Sequence, residues 1–406
     1  LLFTLILDLF FPKFIKIFFF CKFYGIIFLV IFMKKILIFY GSYGGGHLSA
    51  AKSIRDYIEK NYSDSQVELV DCVEYVNKLF NKLTTKAYKD FSKNARWIWK
   101  HLYYDSESGS LSRICNTINR LMAIKLNRLI QEFQPDLIIS THPFSSQMCA
   151  ILKEKGKLNC KVATILTDYA PHNQWLVKSE FIDYYFVAQQ GMVDDLVSRG
   201  VNKDKIHVTG IPLSSRFLQS YNKQKILEDY GLTSDKNTIL FFAGGEFGFG
   251  KDKTFNRLKA IIDNLPNLQV VAVAGRNEKM KERFDELVKT TRTESNVKIL
   301  SFTNQVPELM SVSDLVITKP GGLTTTESLA SGLPLIIIDP LPGQEEENAE
   351  FIENSGAGIW VKDSDNIESI LLDIFNSPTK LEDMKSKARL IAKKNSTQNI
   401  VETLLG

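Results

Sequence analysis

The residues from Thr318 to Phe351, TKPGGLTTTESLASGLPLIIIDPLPGQEEENAEF, combine a glycine turn, a helix start, an apolar strand and a cluster of carboxamides and carboxylates. Gly321 and Gly322 follow a short apolar run and open a Thr-rich helix. The first amides of that helix, through Leu323, Thr324 and Thr325, have no partner within it and suit an anion, a diphosphate above all. A second apolar run, Pro334 to Ile338, delivers Gly343, Gln344, Glu345 and Asn348 to the same sheet edge. Hydrogen-bonding side chains there suit a polyhydroxylated ring. Glu327 is placed to accept from two ribose hydroxyls; the plainer reading is a surface Glu stabilised by the helix dipole.

GSYGGGHLSAA, Gly41 to Ala51, has the same order of strand, glycines and helix. Gly45 and Gly46 let backbone approach a ligand, and no GK[ST] follows, which excludes a Walker loop. Asp71, near the end of the second strand, leaves a dinucleotide arrangement open. His47 is a candidate base for an alcohol nucleophile, with a capping or packing histidine as the alternative. THPF (Thr141–Phe144) and TDYAPHNQW (Thr167–Trp175) also stand just past apolar strands. Asp168 and His172 are read from them as acceptor-side or base-supporting groups, loop capping being the competing account of Asp168, and His142 is read as structural. AGGEFGFG, Ala243 to Gly250, places Gly244 and Gly245 at the cleft, where Glu246 is awkward beside a diphosphate. Asp363-Ser364-Asp365 resembles a metal-binding string, but its place before late helices suits capping, and no metal is assigned.

Between Lys78 and Arg128 eleven basic residues face three acids, interleaved with aromatic rings. Lys93, Arg96, Trp97, Trp99 and Lys100 form its centre. Rings and charges in one segment suit an anionic membrane surface. A solvated helical face and nucleic acid are the other readings, and no nucleic-acid motif accompanies the segment.

These residues need elements to hold them. Short β-branched runs alternate with helical-period segments in two sets of six, the order of parallel α/β layers. Strands are expected near 35–40, 66–70, 137–140, 161–166, 184–187 and 206–208, then near 238–243, 269–274, 297–300, 315–318, 334–338 and 358–361. The fold class is α/β, with two doubly wound domains facing across a cleft. Residues 33–212 are expected to form the first, 213–236 a linker, and 237–406 the second. The chain has 406 residues, 44% hydrophobic and 24% charged, with net charge +4. That is an ordinary globular composition with room for two domains. Five cysteines show no metal spacing and read as structural thiols of a reduced compartment. Residues 1–32, rich in Phe and Ile but broken by Asp8, Pro12 and three lysines, fit neither a spanning helix nor a signal peptide. The expectation is a start at Met33, the alternative a hydrophobic anchor.

Together GGGHLSAA, THPF, TDYAPHNQW, DYYFVAQQGMVDDLVSRGV, GIPLSSRF, VAVAGRNEKM and KPGGLTTTESLASGLPLIIIDPLPGQEEEN resemble the monogalactosyldiacylglycerol synthase and processive diacylglycerol glucosyltransferase family, over nearly all of Met33 to Gly406. The resemblance implies a GT-B fold and inverting, metal-independent transfer of glucose or galactose from a UDP-hexose to diacylglycerol. It implies no cofactor, and a protein bound peripherally at the cytoplasmic face of the membrane. By it His47 stands near the reaction centre, with Asp168 as the group expected to orient it. Glu327 matches the ribose-binding Glu, and Gln344 and Glu345 match the pair that reaches the donor sugar. Glu246 departs from the small hydroxyl residue that relatives often carry. The GlcNAc transferase of lipid II synthesis and UDP-GlcNAc 2-epimerase are the alternatives, and PGQEEEN argues against the first.

Overall fold

Runs such as Ile36–Phe39 and Leu315–Ile317 are too short for helices and apolar at every position, so they are stable only where both faces are covered, and all seven residues are fully buried. The computed structural model describes residues 15–22, 25–42, 45–76, 123, 125–244 and 251–406. The basic aromatic segment with Lys93, Arg96, Trp97, Trp99 and Lys100 lies outside the described residues, as do Gly245 and Glu246. An antiparallel hairpin, β1 (Ile15–Lys22) and β2 (Gly25–Phe32), comes first.

The first parallel sheet holds β3 (Lys34–Tyr40), β4 (Ser65–Asp71), β5 (Leu137–Ser140), β6 (Lys161–Ile165), β7 (Tyr184–Val187) and β8 (Ile206–Val208), in the order β4-β3-β5-β6-β7-β8. The second holds β9 (Thr238–Phe242), β10 (Gln269–Val273), β11 (Val297–Leu300), β12 (Leu315–Thr318), β13 (Leu335–Ile337) and β14 (Gly358–Trp360). Its order, β11-β10-β9-β12-β13-β14, is the doubly wound arrangement in which direction reverses between the first and fourth strands. Five helices position the cleft residues and close the cores: α1 (Gly46–Asn61), α2 (Pro143–Glu154), α3 (Gly322–Ala330), α4 (Gln344–Ser355) and α5 (Ser396–Leu405). Among the described residues no helix is long and apolar enough to cross a membrane.

The divisions expected from sequence need two amendments. Residues 213–236 are not a free linker. They include the helix Lys223–Asp229, and Leu227 and Leu232 pack with Leu240, Val271 and Val316 of the second sheet. Nor does the second unit keep everything to residue 406. Ile400 and Val401 of α5 join Ile36, Ile38, Ile54 and Ile58 in the core of the first sheet. Thr397 fixes the return: its hydroxyl donates to the Leu213 carbonyl and accepts from the Leu213 amide, both at 2.8 Å. An amphipathic helix states that it needs a partner surface, not which one.

Between the sheets the two units share one core. Leu323, Leu329, Ala349 and Ile352 cluster with Ile138, Met148, Leu166 and Tyr169. A tight approach is at Gly322, where a Cβ would stand 1.9 Å from the Thr167 carbonyl oxygen. Gly322→Ala is therefore expected to cost about 1–3 kcal/mol by overpacking, while Gly45→Ala, with nothing within 4 Å of the added carbon, leaves stability unchanged. Thermal melts of the two variants check this. Equal melting temperatures for Gly322→Ala and the parent chain would show that the units do not meet here.

Candidate functional site

The cavity between the sheets measures about 450 Å³ and is walled by the carboxyl ends of strands from both. Gly45, Gly46 and His47 follow β3; Thr167 and Asp168 follow β6; Gly244 follows β9; Lys319, Gly321, Gly322, Leu323 and Thr324 follow β12; Gln344 and Glu345 follow β13. In each sheet these ends include the point where strand order reverses, where neighbouring loops part and leave a crevice.

Two helix starts in this cavity have opposite chemistry. α3 opens at Gly321 without a side-chain cap and has no acid in its first turn. Its leading amides and partial positive charge are therefore unspent. Lys319 adds a cation to the same wall, its stem 3.5 Å from where a Gly244 side chain would begin. α4 instead opens with Glu345, Glu346 and Glu347. Glu345 accepts from the Leu341 amide at 2.6 Å and Glu346 from the Gly343 amide at 3.2 Å, which holds the turn, while Gln344 lines the cavity. The first end suits an anion; the second suits hydroxyl donors.

His47 faces them from α1. Its Nδ1 lies 2.5 Å from the Thr141 carbonyl oxygen, an atom that only accepts, so Nδ1 carries the proton and Nε2 is left with its lone pair. The Thr167 hydroxyl stands 3.1 Å from the same nitrogen, and the Thr141 hydroxyl donates to the His47 carbonyl at 2.9 Å. Burial lowers the imidazole to about 4, against the pull of the Thr141 bond, so the ring is neutral at pH 7.

Asp168 does not orient that ring. Its Oδ1 accepts from Asn348 Nδ2 at 3.0 Å, and burial, with the Glu345 charge adding to it, raises the carboxyl to about 6 against the pull of that bond. Thr141 takes the orienting role because it ends β5, the strand beside β3. Asn348 is likewise no sugar ligand. It is fully buried, and its amide is spent on Asp168, on the Pro320 carbonyl at 2.9 Å and on the Tyr169 amide at 2.8 Å. His172 departs from its expected acceptor role too: it is buried, its Nδ1 accepts from the Gln174 amide at 3.3 Å, and burial lowers it to about 3. His142 caps α2 in the same way, as expected. Lys253 pairs with Asp363 at 2.8 Å and Asp365 caps the Lys362 amide at 2.8 Å, so the Asp-Ser-Asp string serves local structure.

Glu327 and Thr325 sit on α3 but do not wall the cavity. The Thr325 hydroxyl is buried without a hydrogen-bond partner. Burial alone raises Glu327 to about 8. A carboxyl in that state gains most from a ligand that donates to it.

Sequence reasoning missed one wall. Phe242, Val273, Gly275, Phe302, Thr303 and Val306 line the far end of the cavity, with Phe302 56% exposed and the Arg276 guanidinium 4.9 Å over its ring. They come from the ends of three strands and form no motif. Lys319 was missed as well, although a cation directly before Pro-Gly-Gly at a strand end is a signal that sequence carries.

Residues 47–213 match the monogalactosyldiacylglycerol (MGDG) synthase family and residues 240–404 the glycosyltransferase family 28 C-terminal domain. The processive diacylglycerol beta-glucosyltransferase of Staphylococcus epidermidis is 34% identical over 92% of this chain and 92% of its own. The chain belongs to this family of diacylglycerol glycosyltransferases. A Bacillus pumilus protein of the same name is 32% identical over 92% of this chain and 94% of its own. Among solved structures, the MnaA–UDP complex of S. aureus is similar with TM-score 0.62 at 14% identity, covering 92% of this chain and 96% of that one. MurG of Acinetobacter baumannii gives 0.61 at 16% identity, covering 91% and 98%. At such identities these likenesses show the two-domain GT-B fold alone.

Glu327→Gln removes a carboxyl that burial has raised above its unfolded value. Such a group favours the folded state at low pH and loses that contribution as pH rises toward 8. The variant is therefore expected to melt higher than the parent at pH 8.5 and, at that pH, where the carboxyl is ionised, to bind UDP about 10- to 100-fold more weakly, the loss of hydrogen bonds to a charged group. Calorimetric titration with UDP decides: undiminished affinity removes Glu327 from the site.

Proposed function

We propose that this family enzyme transfers glucose from UDP-glucose to the primary hydroxyl of 1,2-diacylglycerol, with inversion. The observation that carries the reading is the pairing, across one cavity, of an uncapped acid-free helix start beside Lys319 with a neutral His47 whose Nε2 is unprotonated. The relatives are named beta-glucosyltransferases, which favours glucose over galactose; a β product from an α-linked UDP donor requires inversion.

In this mechanism the diphosphate lies on the amides of Gly322, Leu323 and Thr324 beside Lys319, the base against Phe302, and the ribose toward Glu327, one turn along α3 from the Thr324 wall. Gln344 and Glu345 take the sugar hydroxyls. The acceptor oxygen attacks the anomeric carbon, its proton passes to His47 Nε2, and the anomeric C–O bond breaks with its electron pair leaving on UDP. The Asp168 carboxylate, on the wall of the same cavity, stabilises by its charge the imidazolium that forms. A diphosphate in the cavity favours the protonated imidazole, so donor binding strengthens the base. Lys319 and the α3 amides meet the leaving charge, a role otherwise given to a metal, and the proposal needs no resident cofactor. The membrane-facing role of Lys93, Arg96, Trp97, Trp99 and Lys100, and a place at the cytoplasmic face, are part of the same proposal.

The test is incubation with diacylglycerol in anionic liposomes and UDP-glucose, UDP-galactose or UDP-GlcNAc separately, with lipid products identified by mass spectrometry. Glucosyl-diacylglycerol is expected. No glycolipid from any donor, despite UDP binding, would sink the assignment and favour the lipid II or epimerase alternative. His47→Ala is expected to lower kcat by about 10²- to 10⁴-fold while UDP binds normally; full turnover would remove His47 from catalysis. The Asp168 carboxyl, raised to about 6, loses its charge as pH falls through that value, so kcat/KM is expected to drop there. The drop should be absent from the residual activity of Asp168→Asn.

A further inference from the structure

We propose that Asn348 is a positioning residue: it locks the Asp168 carboxylate in the cavity and ties the acceptor-side loop to the helix that carries Gln344 and Glu345. The proposal rests on the glucosyltransferase reading for the role of Asp168, but not for the geometry. Asn348 stands one turn after Gln344 on α4, fully buried, and bridges the two units with a single carboxamide. Its Nδ2 donates to Asp168 Oδ1 at 3.0 Å in the first unit and to the Pro320 carbonyl at 2.9 Å in the second; its Oδ1 accepts from the Tyr169 amide at 2.8 Å. Two N–H donors and an acceptor on one side chain are what a primary carboxamide supplies and a carboxylate or hydroxyl does not.

The neighbouring contacts hold the same loop. Tyr169 stacks on Phe351, one turn further along α4, with centroids 4.5 Å apart, and its hydroxyl meets Thr326 of α3 at 2.9 Å. The loop after β6 is thus seated in the second unit, and Asp168 keeps its place relative to the sugar end of α4 through Asn348. Among the described residues three other titratable groups wall the cavity with Asp168: Glu345 from α4, Lys319 from the turn after β12, and His47 from α1. Glu345 opposes ionisation of Asp168, as burial does, and the Asn348 N–H favours it. Without that N–H, the charge of a bound diphosphate has less to overcome in protonating Asp168.

The experiment compares Asn348→Ala, Asp168→Asn and the double variant of the full chain, with UDP-glucose and diacylglycerol in liposomes as substrates. Asn348→Ala is expected to lower kcat about 10- to 100-fold through misplacement of the carboxylate, to leave KM for UDP-glucose within about threefold, and to move the acid limb of the pH profile upward. In the double variant it should add no loss beyond that of Asp168→Asn, because coupled residues are non-additive. An unmoved acid limb, or losses that multiply, would overturn the proposal and leave Asn348 a packing residue. If Asn348→Ala does not fold, Asn348→Ser is read in its place. The ¹³C-carboxyl resonance of Asp168 reports the same coupling without turnover: a higher titration midpoint in the variant supports the proposal, and an unchanged midpoint overturns it. That readout survives failure of every UDP-hexose to give a glycolipid, which would refute the substrate assignment alone.

Discussion

The site depends on one contact, the approach of the Gly322 backbone to the Thr167 carbonyl, with 1.9 Å left for any Cβ. It sets the uncapped, acid-free first turn of α3 against the loop that carries Thr167 and Asp168. Everything else in the cavity is placed relative to that pair of segments. Tyr169 extends the contact into the second unit, and apolar side chains from both units close around it as one core. Buried polar groups at such a seam must be satisfied in full, since a half-met network costs more than an apolar one. Asn348 meets three of them at once.

Charge is partitioned just as sharply. The cavity sets an acid-free helix start beside a lysine and an acid-loaded helix start beside a glutamine, both following strands of the same sheet. A ligand with a negative diphosphate and a neutral polyol has one orientation that satisfies both ends. Reversing it would place phosphate against Glu345 and its neighbours, so in the proposed binding mode electrostatics orients the donor before any close fit is reached. His47 is neutral at pH 7, its proton held on Nδ1 by a backbone carbonyl rather than by a carboxylate.

Much of this was legible in the sequence because parallel strands buried on both faces are uniformly apolar and cannot be mistaken for amphipathic helix. All twelve strands of the two parallel sheets fall within about a residue of their expected positions. The glycine turns at Gly45 and Gly321 were equally plain, since a strand end followed by glycines and a helix start has few other uses. What sequence does not carry is the partner of a polar side chain. Asn348 and Gln344 are carboxamides four residues apart on one helix, and only the fold shows that one faces the cavity and the other the seam. His172 and His47 differ in the same way, one accepting from a local amide and the other held by a strand two segments away. The wall around Phe302 was hidden because its residues come from separate strands.

The return of α5 to the first sheet bears on how the chain is made. The last strand of that sheet ends at Val208, yet the surface of α1 is completed only by Ile400 and Val401, and the anchoring bond joins Leu213 to Thr397. A ribosome therefore releases all six strands of the first unit long before it releases the helix that seals them. Units that close early can fold while synthesis continues; this one keeps an apolar face open until residues 396–405 emerge. Arrival of α5, rather than completion of the sheet, is the event that closes the first core, and removal of that helix acts first on the N-terminal half.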